Sequence, residues 1–441
     1  MYLNTKNSYL LCLSIFLLNN AKAQQNDHLP LTLSQVWEKV ETNSKTVQMQ
    51  DFNVKRTVEG IKDAKAERLP EISAEGEYAR VSSMPVYDNG LFHTPSQFEV
   101  VHSTYTLGAD AYLNIYHGGK TNIRIAEEKK ENEIAAEQKK LTTSEVKLRA
   151  AAYYLDLQRS GVFKALLLKD IADQEKQLAE IKQLLTNGVV LKSDVLRVTL
   201  KLSRQKMALV QLNNDLAIAN QKLNILTGMP DETVVETADP EKDELKQLQP
   251  YTEYLLIAMQ HSFAYKISEK ETELRKLQIK DVKANTSFKL GLFANYAYSY
   301  PQILFYPYSI ATYGLGMAGL KASFPISSLY HNTHKKRAAE LRYQQQEVEH
   351  ADTEDKIRQE VNEAYLRYKE SLTRIEVAKE NITQATENLR IVNNTYFNQL
   401  SLVTDLLDAD TQLLQTRFDL AAAKIAAQLQ YYQLQKAIGN L

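Results

Sequence analysis

The segment LVTDLLDADTQLL, residues 402–414, sets Asp405 and Asp408 three residues apart in a leucine-rich stretch. On a helix that spacing stacks both carboxylates on one face. Acids near a helix start complement the dipole and cap free N–H groups. Asp194, in the sequence LKSDV, reads as a plain cap of this kind. For Asp405, capping and a role beyond capping stand level. Asp408 lies about one turn further in, where the dipole effect fades.

Other residues of reactive type form no constellation. His331 and His334 in HNTH have helical spacing for a metal but lack a third nearby ligand, and read as a solvated pair. HGGK at 117–120 lacks the rest of a phosphate-binding loop. There is no nucleophile elbow, cofactor fingerprint or cysteine-based site, so no catalytic residue, metal or cofactor is expected and the chain is read as a non-enzyme. Glu71, Glu75 and Glu77 alternate along one short segment, which suits either a lumen wall or a wetted strand face. The Lys/Glu-rich stretch 126–140 reads as a solvated helix face.

Composition narrows the partners. The 441 residues carry 53 Lys+Arg against 54 Asp+Glu, whereas a nucleic-acid binder would be clearly basic. Lys6, the apolar run YLLCLSIFLL and AKA at 21–23 have the order of a secretory leader, expected over 1–23. Its removal takes the single Cys12 with it, and the loss of Lys6 and Lys22 moves formal net charge from −1 to −3. No later stretch has the uninterrupted apolar length of a membrane helix.

The helix breakers then locate the elements that position these residues. All ten prolines fall within 30–95, 230–250 or 301–325. The windows between are rich in Leu, Ala, Lys, Glu and Gln, all good helix formers. They predict two helical hairpins, with arms at about 120–186 and 192–227, and about 328–397 and 403–438. An arm of ~67 residues is about 100 Å long, too long for a globular core to wrap, so a coiled coil is expected. Val195, Leu202, Leu209, Leu216 and Leu223 recur every seven residues, with Val198, Gln205, Leu212, Ala219 and Leu226 three behind, an a/d seam with one polar member. Leu406, Leu413, Leu420, Ala427 and Leu434 repeat the pattern 211 residues later. Tyr154-Leu155 maps onto Tyr365-Leu366 and Asp194 onto Asp405 at the same offset, while IKDAKA at 61–66 matches IKDVKA at 279–284. The chain reads as two copies of one unit, 24–235 and 236–441.

Each copy also holds two stretches of period two, which means strand. Ile72, Ala74, Gly76 and Tyr78 alternate with the three glutamates, Tyr105 to Ile115 alternate with polar residues, and Leu290 to Tyr298 alternate with Lys289, Gly291, Asn295 and Ser299. The fourth strand, within Thr312–Phe324, is the least regular, with Lys321 on an otherwise apolar face. Tyrosine-rich strands of about ten residues match a transmembrane β-barrel. The alternative from the strands alone is a soluble sandwich with one wet face. Four strands cannot close a barrel, so several chains must contribute. The connections 82–103 and 301–311 read as external loops. Long hairpins joined to membrane strands suggest a conduit; the competing reading is a non-conducting periplasmic coiled-coil scaffold or adhesin.

These features resemble the TolC-like outer-membrane efflux proteins. The resemblance covers nearly all of the mature chain and rests on LNIYHGGKTNIRIAEE at 113–128, TNGVVLKSDVLRV at 186–198 and TYFNQLSLVTDLLDADTQL at 395–413. It implies a mainly α fold with membrane β: a homotrimer whose four strands per chain form a twelve-strand transmembrane barrel in outer-membrane lipid, continued by a helical-hairpin periplasmic tunnel. It further implies a passive exit duct for small molecules or proteins, in efflux or type I secretion. An inner-membrane pump of RND or ABC type drives export through a periplasmic adaptor (membrane fusion) protein. By motif match, Asp405 and Asp408 ring the tunnel mouth and Tyr396 helps hold it closed. Adaptor contact falls on the tips, Gly188, Val189, Val190 and Leu191 in the first hairpin and Gln399, Leu400, Ser401 and Leu402 in the second. Ser401 stands where the family often has a basic residue and Gln399 where it has glycine. Glu71, Glu75 and Glu77 then line the lumen.

Overall fold

The structure is a computed structural model that describes residues 28–237, 246–304 and 306–441. The expected leader, with Lys6, Cys12 and Lys22, lies outside the described residues. In chain order the elements are β1 (His28–Leu31), α1 (Leu33–Asn43), α2 (Lys45–Ala66), β2 (Glu71–Arg80), β3 (Met84–Val86), β4 (Ser96–Phe98) and β5 (Ser103–His117). Then come α3 (Lys120–Thr186), α4 (Lys192–Thr227), β6 (Val234–Thr237), α5 (Tyr251–His261) and α6 (Phe263–Ala284). The last four are β7 (Lys289–Tyr300), β8 (Tyr313–Ser323), α7 (Ser328–Phe397) and α8 (Val403–Ala437). None of the described helices is long and apolar enough to cross a membrane.

The chain packs as two compact units. One comprises Met1–Gln50, Lys139–Phe263 and Asp355–Leu441, the other Asp51–Gln138 and Ala264–Glu354. Each draws on both halves of the sequence.

In the first unit, α1 starts at a capping box: Thr32 Oγ1 accepts from the Gln35 N–H while Gln35 Oε1 accepts from the Thr32 N–H. Its buried Val36 and Val40 pack with Val146, Ala150 and Tyr154 of α3 and Leu223 of α4. The Tyr154 hydroxyl donates to the Leu31 carbonyl at 2.9 Å. Its counterpart in role is Tyr368, fully buried and donating to the Lys246 carbonyl at 2.5 Å, whereas Leu366 is exposed. At the offset of 211 the burial pattern still repeats: Val146 and Ile357, Ala150 and Val361, Leu157 and Tyr368, and Ser160 and Ser371 are all buried. In each half two helices precede the strands of the sheet. Ser44 and Ser262, both buried and extended, break the run between α1 and α2 and between α5 and α6. A second core joins Ile181 and Leu178 of α3, Val198 and Leu202 of α4, and Val403 and Leu406 of α8. Fully burying an aliphatic side chain of this size contributes about 2 kcal/mol. The heptad positions Val198, Leu202, Gln205, Ala219 and Leu223 are all buried, as the period-seven pattern requires.

The second unit holds an antiparallel sheet ordered β2-β5-β7-β8. Ile72, Ala74, Gly76 and Tyr78 stand beside Ala111, Ala109, Leu107 and Tyr105, and those beside Ala294, Tyr296, Tyr298 and Tyr300. Across these rows the face bears no charge. Lys321 is not on it: it pairs with Gly291 and, through it, with Asn114 on the polar face. The apolar face of β8 is instead Gly314, Gly316 and Ala318. A Cβ on Gly314 would lie 2.6 Å from the Tyr296 hydroxyl, and one on Gly316 2.9 Å from the Tyr296 ring. The tyrosines of β7 fill the space that side chains of β8 would take, which hid the alternation from the sequence. Between β2 and β5 the connection forms a small hairpin, β3 with β4.

Candidate functional site

Two regions hold the residues singled out by sequence. The first is the pair of hairpin tips. After α3, Gly188 takes φ 76°, and the Val189 N–H donates back to the Leu184 carbonyl at 2.9 Å. This is a Schellman-type stop, with the left-handed residue just past the helix. After α7, Gln399 takes φ 63° and the Leu400 N–H donates to the Thr395 carbonyl at 2.8 Å. The two tips share their geometry 211 residues apart, although glutamine holds the left-handed position in the second. Thr395 Oγ1 also donates to Ser401 Oγ at 3.2 Å across that turn.

Both following helices start alike. Leu191 and Leu402 are extended, and their N–H groups donate to Asp194 and Asp405 at 3.2 and 3.0 Å. This is the backward half of a capping box, built from an acid at the third helical position. Asp405 is thus a cap in the isolated chain. Asp408 is exposed on the same side of α8, with Val403, Leu406 and Ala409 buried opposite, and no described side chain pairs with it. Tyr396 faces inward. It is buried in the tip core, its hydroxyl without a hydrogen-bond partner. Burial first, and the nearby Asp194 charge second, push its phenol pKa above the ordinary value. At the apex the apolar side chains of Val189, Leu191, Leu400 and Leu402 are exposed, the last three by about 70% or more, which no packing within the chain explains.

Sequence reasoning missed a polar layer behind the tips. Asp410, two residues beyond Asp408, turns inward. Its carboxylate accepts from Lys201 Nζ at 2.5 Å and from Gln174 Nε2 at 2.5 Å. Lys201 donates also to the Leu407 carbonyl at 3.1 Å. Asp170, 5% exposed, accepts from Gln205 Nε2. Burial, then the Asp410 charge, raise the Asp170 pKa to about 6. Gln205 was the available signal, as the polar member of its seam. Removing one partner of a buried charge pair commonly costs about 3–5 kcal/mol.

The second region is the sheet. Glu71, Glu75 and Glu77 share the polar face with Asp110 and Asn295, all opposite the uncharged face. Ile72 and Leu107 on that uncharged face are 72% and 64% exposed, so none of the described residues covers it. Strands β2 and β8 end the sheet order, each with one side unpaired. His331 and His334 are exposed on either side of the buried Asn332, and no group of described residues has the makings of a metal site.

A mainly helical fold with an uncovered antiparallel sheet and paired helical hairpins is the architecture of outer-membrane channel proteins. Solved structures agree in fold. The chain superposes on CusC, described in terms of transmembrane channel formation, with TM-score 0.76 at 16% identity, covering 93% of this chain and 92% of that one. The outer-membrane protein VceC of Vibrio cholerae gives TM-score 0.72 at 17% identity, covering 92% and 96%. The open state of the Neisseria gonorrhoeae outer-membrane channel MtrE gives 0.73 at 16%, covering 92% and 88%. No curated protein sequence matches the chain. The family described as Outer membrane efflux protein matches residues 36–229 and 289–440. The chain belongs to this TolC-like family. Membership places it in the outer membrane, its long helices forming a periplasmic extension, and makes it a transport protein rather than an enzyme.

Proposed function

We propose that the protein is the outer-membrane exit duct of a tripartite efflux or type I secretion system, working as a homotrimer. The observation that carries this reading is the sheet. Its uncharged face is uncovered, and its two outer strands have unpaired backbone groups. In lipid an open edge leaves polar groups without partners, so the strands must close on other copies. Three copies of a duplicated chain give twelve strands, enough for a water-filled barrel. The polar face, with Glu71, Glu75 and Glu77, then lines the lumen. Asp405 and Asp408 ring the tip mouth, Asp408 free to act on passing cations and Asp405 serving also as a cap. Tyr396 acts from within the tip core, keeping the two hairpins together. The exposed Val189, Leu191, Leu400 and Leu402, with Gly188, Val190, Gln399 and Ser401, form the surface met by a periplasmic adaptor, which links the duct to an inner-membrane pump. Native mass measurement of protein extracted from outer membranes tests the assembly. A mass of three chains, with the strands protected from protease, is the expected result; a monomer with accessible strands overturns it.

A further inference from the structure

The start of α7 carries charge that the chain leaves unbalanced. No acidic residue occurs between Asp281 and Glu340, and near the end of that stretch Lys335, Lys336 and Arg337 stand in a row, all exposed. Lys336 approaches Glu340 only to 4.0 Å, and Lys335 and Arg337 bond no acid among the described residues. Further along the same helix Arg358, Arg367, Arg374, Lys379 and Arg390 each bond an acid about one turn away. The first half of the chain shows the same contrast. Counted from the helix starts at Lys120 and Ser328, the places of Lys335 and Lys336 are held in α3 by Glu127 and Glu128.

We propose that Lys335, Lys336 and Arg337 dock on the phosphates of anionic glycerophospholipid in the periplasm-facing leaflet of the outer membrane, and so seat the start of α7 at the membrane surface. The inference rests on the exit-duct reading in one respect, that β8 spans the membrane. Three adjacent cations repel one another, and a surface of net negative charge offsets that repulsion. A headgroup with its own ammonium offers less. Each lysine or arginine near an anionic leaflet gains about fivefold in affinity.

The connection from strand to helix sets the depth. Only residues 324–327 separate β8 from α7. At 1.5 Å per residue the three cations lie about 10–14 Å along α7. The headgroup layer beside the hydrocarbon core is about 5–8 Å thick. Helical side chains lean toward the N-terminus, here toward the membrane, and long cationic stems extended that way bring their heads to the phosphates. The residues just before them have the matching order. Phe324, Ile326, Leu329 and Tyr330 are 51–68% exposed, and none of the described residues covers them. Apolar side chains, then a tyrosine, then cations is the order met on leaving hydrocarbon through the interface.

Native mass spectrometry tests the docking. Full-length protein extracted from outer membranes in neutral detergent is titrated with phosphatidylglycerol or phosphatidylcholine. Wild type is expected to bind phosphatidylglycerol about tenfold or more tightly, the gap narrowing as salt rises. Lys335→Gln/Lys336→Gln/Arg337→Gln closes the gap, and Lys335→Arg/Lys336→Arg keeps it. Arg358→Gln/Arg367→Gln/Arg374→Gln, an equal loss of charge from the paired part of the same helix, leaves it unchanged. Equal affinity for the two lipids in wild type, or a preference that survives the first triple variant, overturns the proposal. Competition by inorganic phosphate at the lipid's own concentration also overturns it, marking a site for the free ion. So does loss of the three-chain mass in the first triple variant without added lipid, since the cations then bond a neighbouring copy. The spectra separate the two ideas. A three-chain mass without lipid preference keeps the duct and removes the anchor, and a preference carried by single chains does the reverse.

Discussion

Asp405 and Asp408 lie three residues apart on one helix face, yet the structure gives them different work. Asp405→Ala removes the acceptor of the Leu402 N–H, bonded at 3.0 Å, and the negative charge in the first turn of α8. A lost cap costs about 1 kcal/mol and a lost dipole partner about 0.3–1 kcal/mol. Since 1.4 kcal/mol is tenfold, the two together raise local opening of the second tip about ten- to thirtyfold. Asp194→Ala serves as an internal control, because it removes the matching acceptor of the Leu191 N–H in the first tip. Asp408→Ala removes an exposed carboxylate with no described partner, so stability changes by no more than about 0.5 kcal/mol. Hydrogen exchange by mass spectrometry on the 400–406 peptide, with 189–195 alongside, reads all three variants. The reasoning is refuted if Asp408→Ala loosens the second tip as much as Asp405→Ala does. It is refuted equally if Asp194→Ala leaves the first tip unchanged.

A reciprocal swap tests the turn geometry: Gly188→Gln puts a side chain at φ 76° in open space, so its cost is purely that of the backbone. It should weaken the first tip by about 1 kcal/mol in local exchange, while Gln399→Gly strengthens the second by about half as much. Tyr396→Phe removes a buried hydroxyl that has no partner, so thermal stability should hold or rise by about 1 kcal/mol. A large fall would show that the hydroxyl finds a partner in the assembly. On the sheet, Leu107→Arg places a charge on the uncharged face and should cost about 2–4 kcal/mol of membrane-inserted stability. Thr106→Arg, on the opposite face, should leave the amount of folded protein in outer-membrane fractions little changed.

The helices were legible because their breakers are few and their seams regular. All four arms of the hairpins fall within a residue of the bounds read from proline placement and heptads. Three of the four strands alternate clearly. The fourth does not, because the glycines that face Tyr296 and Tyr298 carry no side chain to mark a period. The breaks at Ser44 and Ser262 had no proline or glycine to announce them, only a single residue turned extended. At the tips, motif and spacing found the acids but not their division of labour, since a cap is defined by an N–H three residues back. Asp410 was the harder case. It sits in the same acid-rich segment as Asp405 and Asp408, and only the packing of α3 and α4 against α8 shows that it faces inward. Its partners Gln174 and Lys201 come from parts of the chain more than 200 residues away, a separation no local pattern spans.

The central claim is that the chain conducts. Purified full-length protein, shown to be folded and inserted, is placed in a planar bilayer under salt gradient. The account predicts discrete, cation-selective current steps whose selectivity weakens in Asp408→Ala. Inserted protein that carries no current at any voltage, including after both hairpin tips are trimmed, would contradict it and leave a non-conducting scaffold.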